Sequence, residues 1–272
     1  MTADWLEVRP GEAPLVVSFP HTGTDLPAEF EPRLVSSWLA RKDADWWVDR
    51  LYDFAVGLGA TVVRTRISRT VIDVNRDPSG ASLYPGQATT ELCPTTTFDG
   101  EPLWRRGLDP DAADIERRRA TWFEPYHTAL AGELVRLRAR HPKIVLYEAH
   151  SIRSSIPRLF EGELPNFNVG TNSGASCDAA LLRAVEAACD VPGFSRITNG
   201  RFRGGWTTRR YGRPDQGVHA IQMELACRGY MDEPEEQPAP NAWPTPYSET
   251  KAQPMRAVLT EVLKACLAFA RA

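Results

Sequence analysis

The chain has 272 residues, of which 42% are hydrophobic and 25% charged, values that exclude a disordered chain and allow a sizeable core in one large α/β domain or two small ones, a single domain spanning 1–272 being favoured. A formal net charge of -3 provides no basic footprint for phosphate-backbone contacts, so nucleic acid is not an expected partner. No apolar run approaches a membrane span, and the acidic start Asp4-Trp5-Leu6-Glu7 follows no basic, signal-like stretch, so no membrane partner and a cytoplasmic location are expected. The five cysteines are scattered without a C-x-x-C, which argues against a disulfide framework or a zinc knuckle.

In chain order, Leu15-Val16-Val17-Ser18-Phe19 and Ala60-Thr61-Val62-Val63-Arg64-Thr65 read as strands. Between them Trp46, Leu51, Phe54 and Ala55 recur at roughly helical spacing before the Gly57 and Gly59 stop, giving a β-α-β unit. From Asp109-Pro110 to about Arg140, apolar residues such as Ile115, Trp122, Leu130, Leu134 and Leu137 among many charges predict a long amphipathic helix. Ile144-Val145-Leu146-Tyr147 then reads as a buried strand with Glu148 and His150 at its end. Ala179–Ala188 has a helical pattern, Val218–Leu225 a strand pattern, and the tail from about Glu249 to Ala270 is a final helix. Strands alternating with helices imply a sheet covered on both faces, with ligand sites at strand ends. Asp77–Trp104, Asn166–Ser176 and Asn199–Gln216 are too long and too rich in Gly, Pro, Thr, Asn and Arg for ordinary connections, and are expected to wall a substrate pocket.

Two of the five histidines stand at strand ends: His21 in Ser18-Phe19-Pro20-His21-Thr22-Gly23, and His150 in Tyr147-Glu148-Ala149-His150-Ser151. Imidazoles at the ends of neighbouring strands can converge on one ion, and a hydrolytic zinc site needs about three N or O ligands with a position left for water. A carboxylate must complete the set, and Asp43, Asp45 and Asp49 lie close together, although Asp is also favoured at helix starts for capping. In Ser68–Asp77, Arg69, Asp73, Asn75 and Arg76 share a run with strand-like apolar residues; an arginine fork and an amide can grip a carboxylate, or the run can be an ion-paired edge strand. Arg209 and Arg210 sit in a glycine-flanked loop that either reaches substrate or is a solvated basic turn. Glu224 interrupts the apolar strand Ile221-Gln222-Met223-Glu224-Leu225, where an unpaired carboxylate is costly, so it should face a cavity, a metal-bound water or an arginine.

The runs Ser18–Gly23, Ser68–Arg76, Ala149–Ile152, Leu159–Gly162, Asn199–Phe202 and Gln222–Leu225 resemble, in order and over nearly the whole chain, the N-formylglutamate amidohydrolase family, more narrowly its deformylases of histidine breakdown. The resemblance implies a phosphorylase/hydrolase-like mixed sheet flanked by helices, related to zinc carboxypeptidases, in one catalytic domain. It further implies metal-dependent hydrolysis of N-formyl-L-glutamate to formate and L-glutamate, the last step of a histidine degradation route, with one divalent ion, zinc first. Carried over by residue, His21, Asp45 and His150 match the metal ligands, Asn75-Arg76 the pair that grips a substrate carboxylate, and Glu224 the general base. Arg69 is then a candidate for oxyanion stabilisation, and Arg209 or Arg210 for a second carboxylate. One departure is Glu148, where the resemblance implies aspartate two residues before the metal histidine. The competing readings are a deacylase of another acidic N-acyl amino acid, a carboxypeptidase-like hydrolase, and a non-catalytic ligand-binding module.

Overall fold

In the computed structural model, which describes residues 4–83, 86–234 and 237–272, the strands are β1 (Leu6–Arg9), β2 (Leu15–Phe19), β3 (Thr61–Thr65), β4 (Ile144–Ile152), β5 (Phe167–Gly170), β6 (Arg196–Thr198) and β7 (Val218–Ala226). They form a mixed sheet in the order β1-β3-β2-β4-β7-β5-β6. The four central strands β3, β2, β4 and β7 run parallel, β1 lies antiparallel on β3, and β5 antiparallel on β7. The helices are α1 (Leu39–Lys42), α2 (Val48–Leu51), α3 (Ala112–Arg118), α4 (Glu124–Arg138), α5 (Ala179–Cys189), α6 (Trp206–Tyr211) and α7 (Glu249–Arg271). Among the described residues no helix is long and apolar enough to cross a membrane.

Side-chain alternation along the central strands sorts the core into two layers. Val17, Val145, Tyr147, Ile221 and Met223 pack with Leu181 and Val185 of α5 and Leu259 and Leu263 of α7. Val16, Ile144, Leu146 and Ala220 face the other way, onto Leu130, Leu134 and Leu137 of α4. Because successive residues of a strand point to opposite faces, Glu148 and His150 share the α4 face with Leu146, and Gln222 and Glu224 share it with Ala220. The register sets Glu148 beside Gln222 and His150 beside Glu224. Four polar groups thus continue an apolar stripe toward the carboxyl ends of two parallel strands, where open α/β sheets place ligands.

Several expected elements take a different form. The helix expected between the first two long strands is only the single turn of α2 followed by a tight turn at Asp53–Leu58. The long amphipathic helix is capped by Asp111, whose side chain accepts from the Asp114 amide, not by Asp109. Its α3 and α4 parts are joined by a π-turn at Arg119–Phe123. Pro125, at the start of α4, lacks an N–H and crowds the preceding turn, and the widened backbone accommodates it. Asn166–Ser176 holds strand β5, and Ser68–Arg76 is a buried series of turns, not an edge strand.

Candidate active site

His21 leaves β2 immediately after Phe19 and Pro20, and its carbonyl accepts from the Asp45 amide at 2.9 Å, which ties the turn before α2 to the strand end. Two residues beyond Asp45, Trp47 has φ 64°, a left-handed backbone that a bulky residue adopts only when its surroundings enforce it; its indole N–H donates to the Thr245 carbonyl at 2.9 Å. The turn brings Asp45 Oδ2 within 3.0 Å of His150 Nδ1 and 3.7 Å of His21 Nδ1. The two imidazole centroids are 4.8 Å apart. Asp43 turns away, its Oδ2 accepting from the Phe98 amide at 2.7 Å, and Asp49 pairs with Arg64 at 2.7 Å. Geometry therefore groups Asp45, not its acidic neighbours, with the histidines. All three side chains are buried, and their donor atoms lie within 4.8 Å of one another.

The tautomer of His21 is set by a residue that motif reasoning left without a role. Asp73 Oδ1 lies 2.6 Å from His21 Nε2, so Nε2–H donates to the carboxylate and the Nδ1 lone pair faces Asp45. Asp73 also accepts from Arg69 Nη2 at 2.6 Å and from the Asn75 amide at 2.9 Å. Burial alone would raise its pKa, but Arg76, His21 and Arg69 outweigh it and hold the carboxylate well below the ordinary range. Burial and the Arg69 charge push His21 down to about 4, against Asp73 and Asp45, so its ring is neutral. For His150 burial works in the same direction, but hydrogen bonds and charges from Asp45 and Glu148 prevail and hold it at about 10.

Thr207 N–H fixes the Asn75 carbonyl oxygen at 2.9 Å, so it is the Asn75 amide nitrogen that stands 3.1 Å from His150 Nε2. Glu148, fully buried, accepts from Thr208 at Oε2, while its Oε1 lies 3.6 Å from His150 Nε2 without a hydrogen-bond partner. Asp45 Oδ1 is likewise buried without a hydrogen bond, its nearest charge being Arg69 Nη1 at 3.8 Å. Two unsatisfied carboxylate oxygens around two imidazoles are an expensive arrangement for a merely structural cluster. Two ring nitrogens and a carboxylate form a donor set that suits zinc, and the residues present fit such an ion.

Glu224 stands across the strand pair from His150 and accepts from Gln222 Nε2 at 3.2 Å; Gln222 in turn accepts from the Gly205 amide at 2.6 Å. Burial raises the Glu224 pKa to about 7, with Asp45 adding to the rise and His150 and Arg69 opposing it. These groups open into one cavity, which His21, Arg69, Asn75, Arg76, His150 and Glu224 all line. Arg69 is buried with its guanidinium 4.9 Å above the Phe98 ring. Arg76 donates through Nε and Nη2 to Thr90, at 3.0 and 2.9 Å.

Arg209 and Arg210 are not brought to this cavity. Neither is among the described residues lining this cavity. Arg209 donates to the carbonyls of Gly204 and Leu83, and Arg210, exposed and 5.8 Å from the Tyr211 centroid, lines a separate surface groove with Leu134 and Val135. Both lie on α6, which turns its Thr207 and Thr208 inward toward Asn75 and Glu148 and so directs the next two side chains elsewhere. Arg201, from the loop before α6, lines the cavity instead. Of the three long segments, Asp77–Trp104 and Asn199–Gln216 contribute lining residues, including Thr90, Phe98 and Phe202, whereas no described residue of Asn166–Ser176 does.

The sequence pattern of the N-formylglutamate amidohydrolase family matches residues 13–231. The chain belongs to this family. The matched span contains every residue of the cluster described above, from His21 to Glu224. An N-formylglutamate deformylase of Pseudomonas aeruginosa is 47% identical over 267 residues, 98% of this chain and 97% of its own. One from Pseudomonas putida is 44% identical, covering 97% of this chain and 96% of its own. Among solved structures, an N-formylglutamate amidohydrolase from Ralstonia eutropha superposes with a TM-score of 0.79 at 22% identity, covering 98% of both chains. That superposition shows a shared fold.

Proposed function

We propose that this member of the family hydrolyses N-formyl-L-glutamate to formate and L-glutamate, as the last step of a histidine degradation route, with one divalent ion, zinc first, held by His21, Asp45 and His150. The observation that carries the reading is the buried trio itself: two imidazole Nδ1 atoms on either side of one carboxylate, with Glu224 across the strand pair and guanidinium groups lining the same cavity. When bound, the ion supplies a Lewis acid that polarises a carbonyl and lowers the pKa of water.

The chain's own groups do the rest. His21 is ready as a neutral ligand, because Asp73 holds its proton on Nε2. If His150 held the ion through Nδ1, its ring would carry its proton on Nε2, where Glu148 Oε1 at 3.6 Å would be the acceptor. The extra methylene of Glu148 relative to aspartate is then no defect, since the longer arm leaves one oxygen for Thr208 and the other for His150. The same tautomer removes His150 as acceptor for the Asn75 amide, which becomes available with Arg76 for a substrate carboxylate.

Glu224, poised at about 7, takes a proton from water as the water oxygen bonds the formyl carbon. It returns that proton to the nitrogen as the C–N bond breaks, and formate and the free amine leave. Arg69 offers positive charge to the developing oxyanion, and Asp73 keeps its guanidinium in place at 2.6 Å.

A panel of N-formyl-L-glutamate, N-acetyl-L-glutamate and glutamyl dipeptides tests the reading. The formyl compound is expected to give the highest kcat/KM. A higher value for the acetyl or peptidyl compounds contradicts it.

A further inference from the structure

We propose that Arg201 is the specificity-determining residue of this site, holding the side-chain carboxylate of the substrate while Arg76 holds the one beside the scissile amide. The assignment rests on the acidic substrate proposed above and adds which group selects it. Among the described residues, three arginines line the cavity: Arg69, Arg76 and Arg201. Arg69 is engaged by Asp73 beneath the reacting centre. Arg76 lies 3.8 Å from Asp73, the carboxylate that orients His21, so a carboxylate on Arg76 sits close to the scissile bond.

Arg201 enters from the loop between β6 and α6. Its Nε donates to the Leu159 carbonyl at 2.9 Å and its Nη2 to the Ala88 carbonyl at 2.8 Å. These two bonds fix the plane of the guanidinium at the cavity wall. The two arginines also grip the same strap of chain, Arg201 at Ala88 and Arg76 at Thr90. Two guanidinium groups anchored two residues apart along that strap suit a short dicarboxylate. Ile152, Leu159 and Phe202 line the cavity around them, an apolar surface for the methylene groups between the acids. An aliphatic residue at 201 would leave a substrate carboxylate desolvated and unpaired, so the preference for the acid over its neutral amide should shrink.

The experiment measures kcat/KM for N-formyl-L-glutamate and for its side-chain amide, N-formyl-L-glutamine, in the parent, Arg201→Met and Arg201→Lys proteins. The ratio of glutamate to glutamine is expected to fall by about tenfold to hundredfold in Arg201→Met, with most of the change in KM, and to recover in part in Arg201→Lys. Arg201→Lys keeps the cation and serves if the methionine variant does not fold. A ratio within about twofold of the parent's in a folded variant overturns the assignment of Arg201 alone. A parent protein that does not prefer the glutamate compound overturns the acidic-substrate reading and this proposal with it.

Discussion

Glu224 and Glu148 illustrate how one strand pair gives two buried carboxylates different work. Both project from the α4 face of the sheet, but Glu224 opens into the cavity and burial raises it to about 7, while Glu148 is sealed beneath Thr208 and beside His150. Glu224→Gln is therefore expected to lower kcat by at least about a hundredfold with metal content retained, since an amide cannot accept the water's proton; an unchanged kcat removes Glu224 from the chemistry. Glu148→Gln acts differently. It is expected to weaken zinc affinity by about tenfold to a hundredfold, read by competition with a chromophoric chelator, because the Nε2 proton of His150 loses its charged acceptor. Equal affinity in the variant would leave Glu148 a packing residue. The strand patterns around His21, His150 and Glu224 made these residues legible in the sequence. Asp73 was less so, because its role depends on a turn that brings it to His21 from 52 residues away.

At the scale of elements, long strands and helices were legible and short or strained ones were not. β2, β3, β4 and β7 are β-rich apolar runs and α5 and α7 have helical periodicity, so hydrophobic patterning identifies them. β1, β5 and β6 are at most four residues long, and no period can be read from so few. The placement of Arg209 and Arg210 was not legible for a related reason: their direction depends on which face α6 turns to Asn75 and Glu148, and the loop composition does not encode it.

The turn that carries Asn75 and Arg76 is supported from α4 through His127, whose Nε2 lies 2.7 Å from the Val74 carbonyl. Burial depresses the His127 pKa from 6.5 to about 4. The folded pKa lies below the unfolded one, so between these values the unfolded chain binds a proton that the native protein does not. Stability supplied by the neutral ring is thus full above about pH 6.5 and is lost as pH falls toward 4, by about 2 kcal/mol at pH 5. Urea unfolding at pH 7.5 and pH 5 should show a smaller acid loss in His127→Gln than in the parent, by about that amount. An identical pH dependence in the two proteins would mean that His127 titrates normally.

Across the whole molecule, the cluster draws on segments that the sheet alone brings together: His21 after β2, Asp45 before α2, Asp73 in the turns after β3, His150 within β4 and Glu224 within β7. An ion held by three of these segments, as proposed, would bind the folded chain and not the unfolded one, so its loss should lower stability as well as activity. Differential scanning of chelator-treated protein should show a lower Tm that returns on adding zinc; a Tm indifferent to metal would place the ion elsewhere. The decisive measurement is a titration of metal-stripped protein with zinc while formate release from N-formyl-L-glutamate is followed. Turnover should be nearly absent at the start, rise in proportion to added metal and break at about one equivalent per chain, with no such rise in His21→Ala or His150→Ala. Full turnover by the stripped protein, or an unaltered titration in both histidine variants, would contradict metal-dependent hydrolysis at this site.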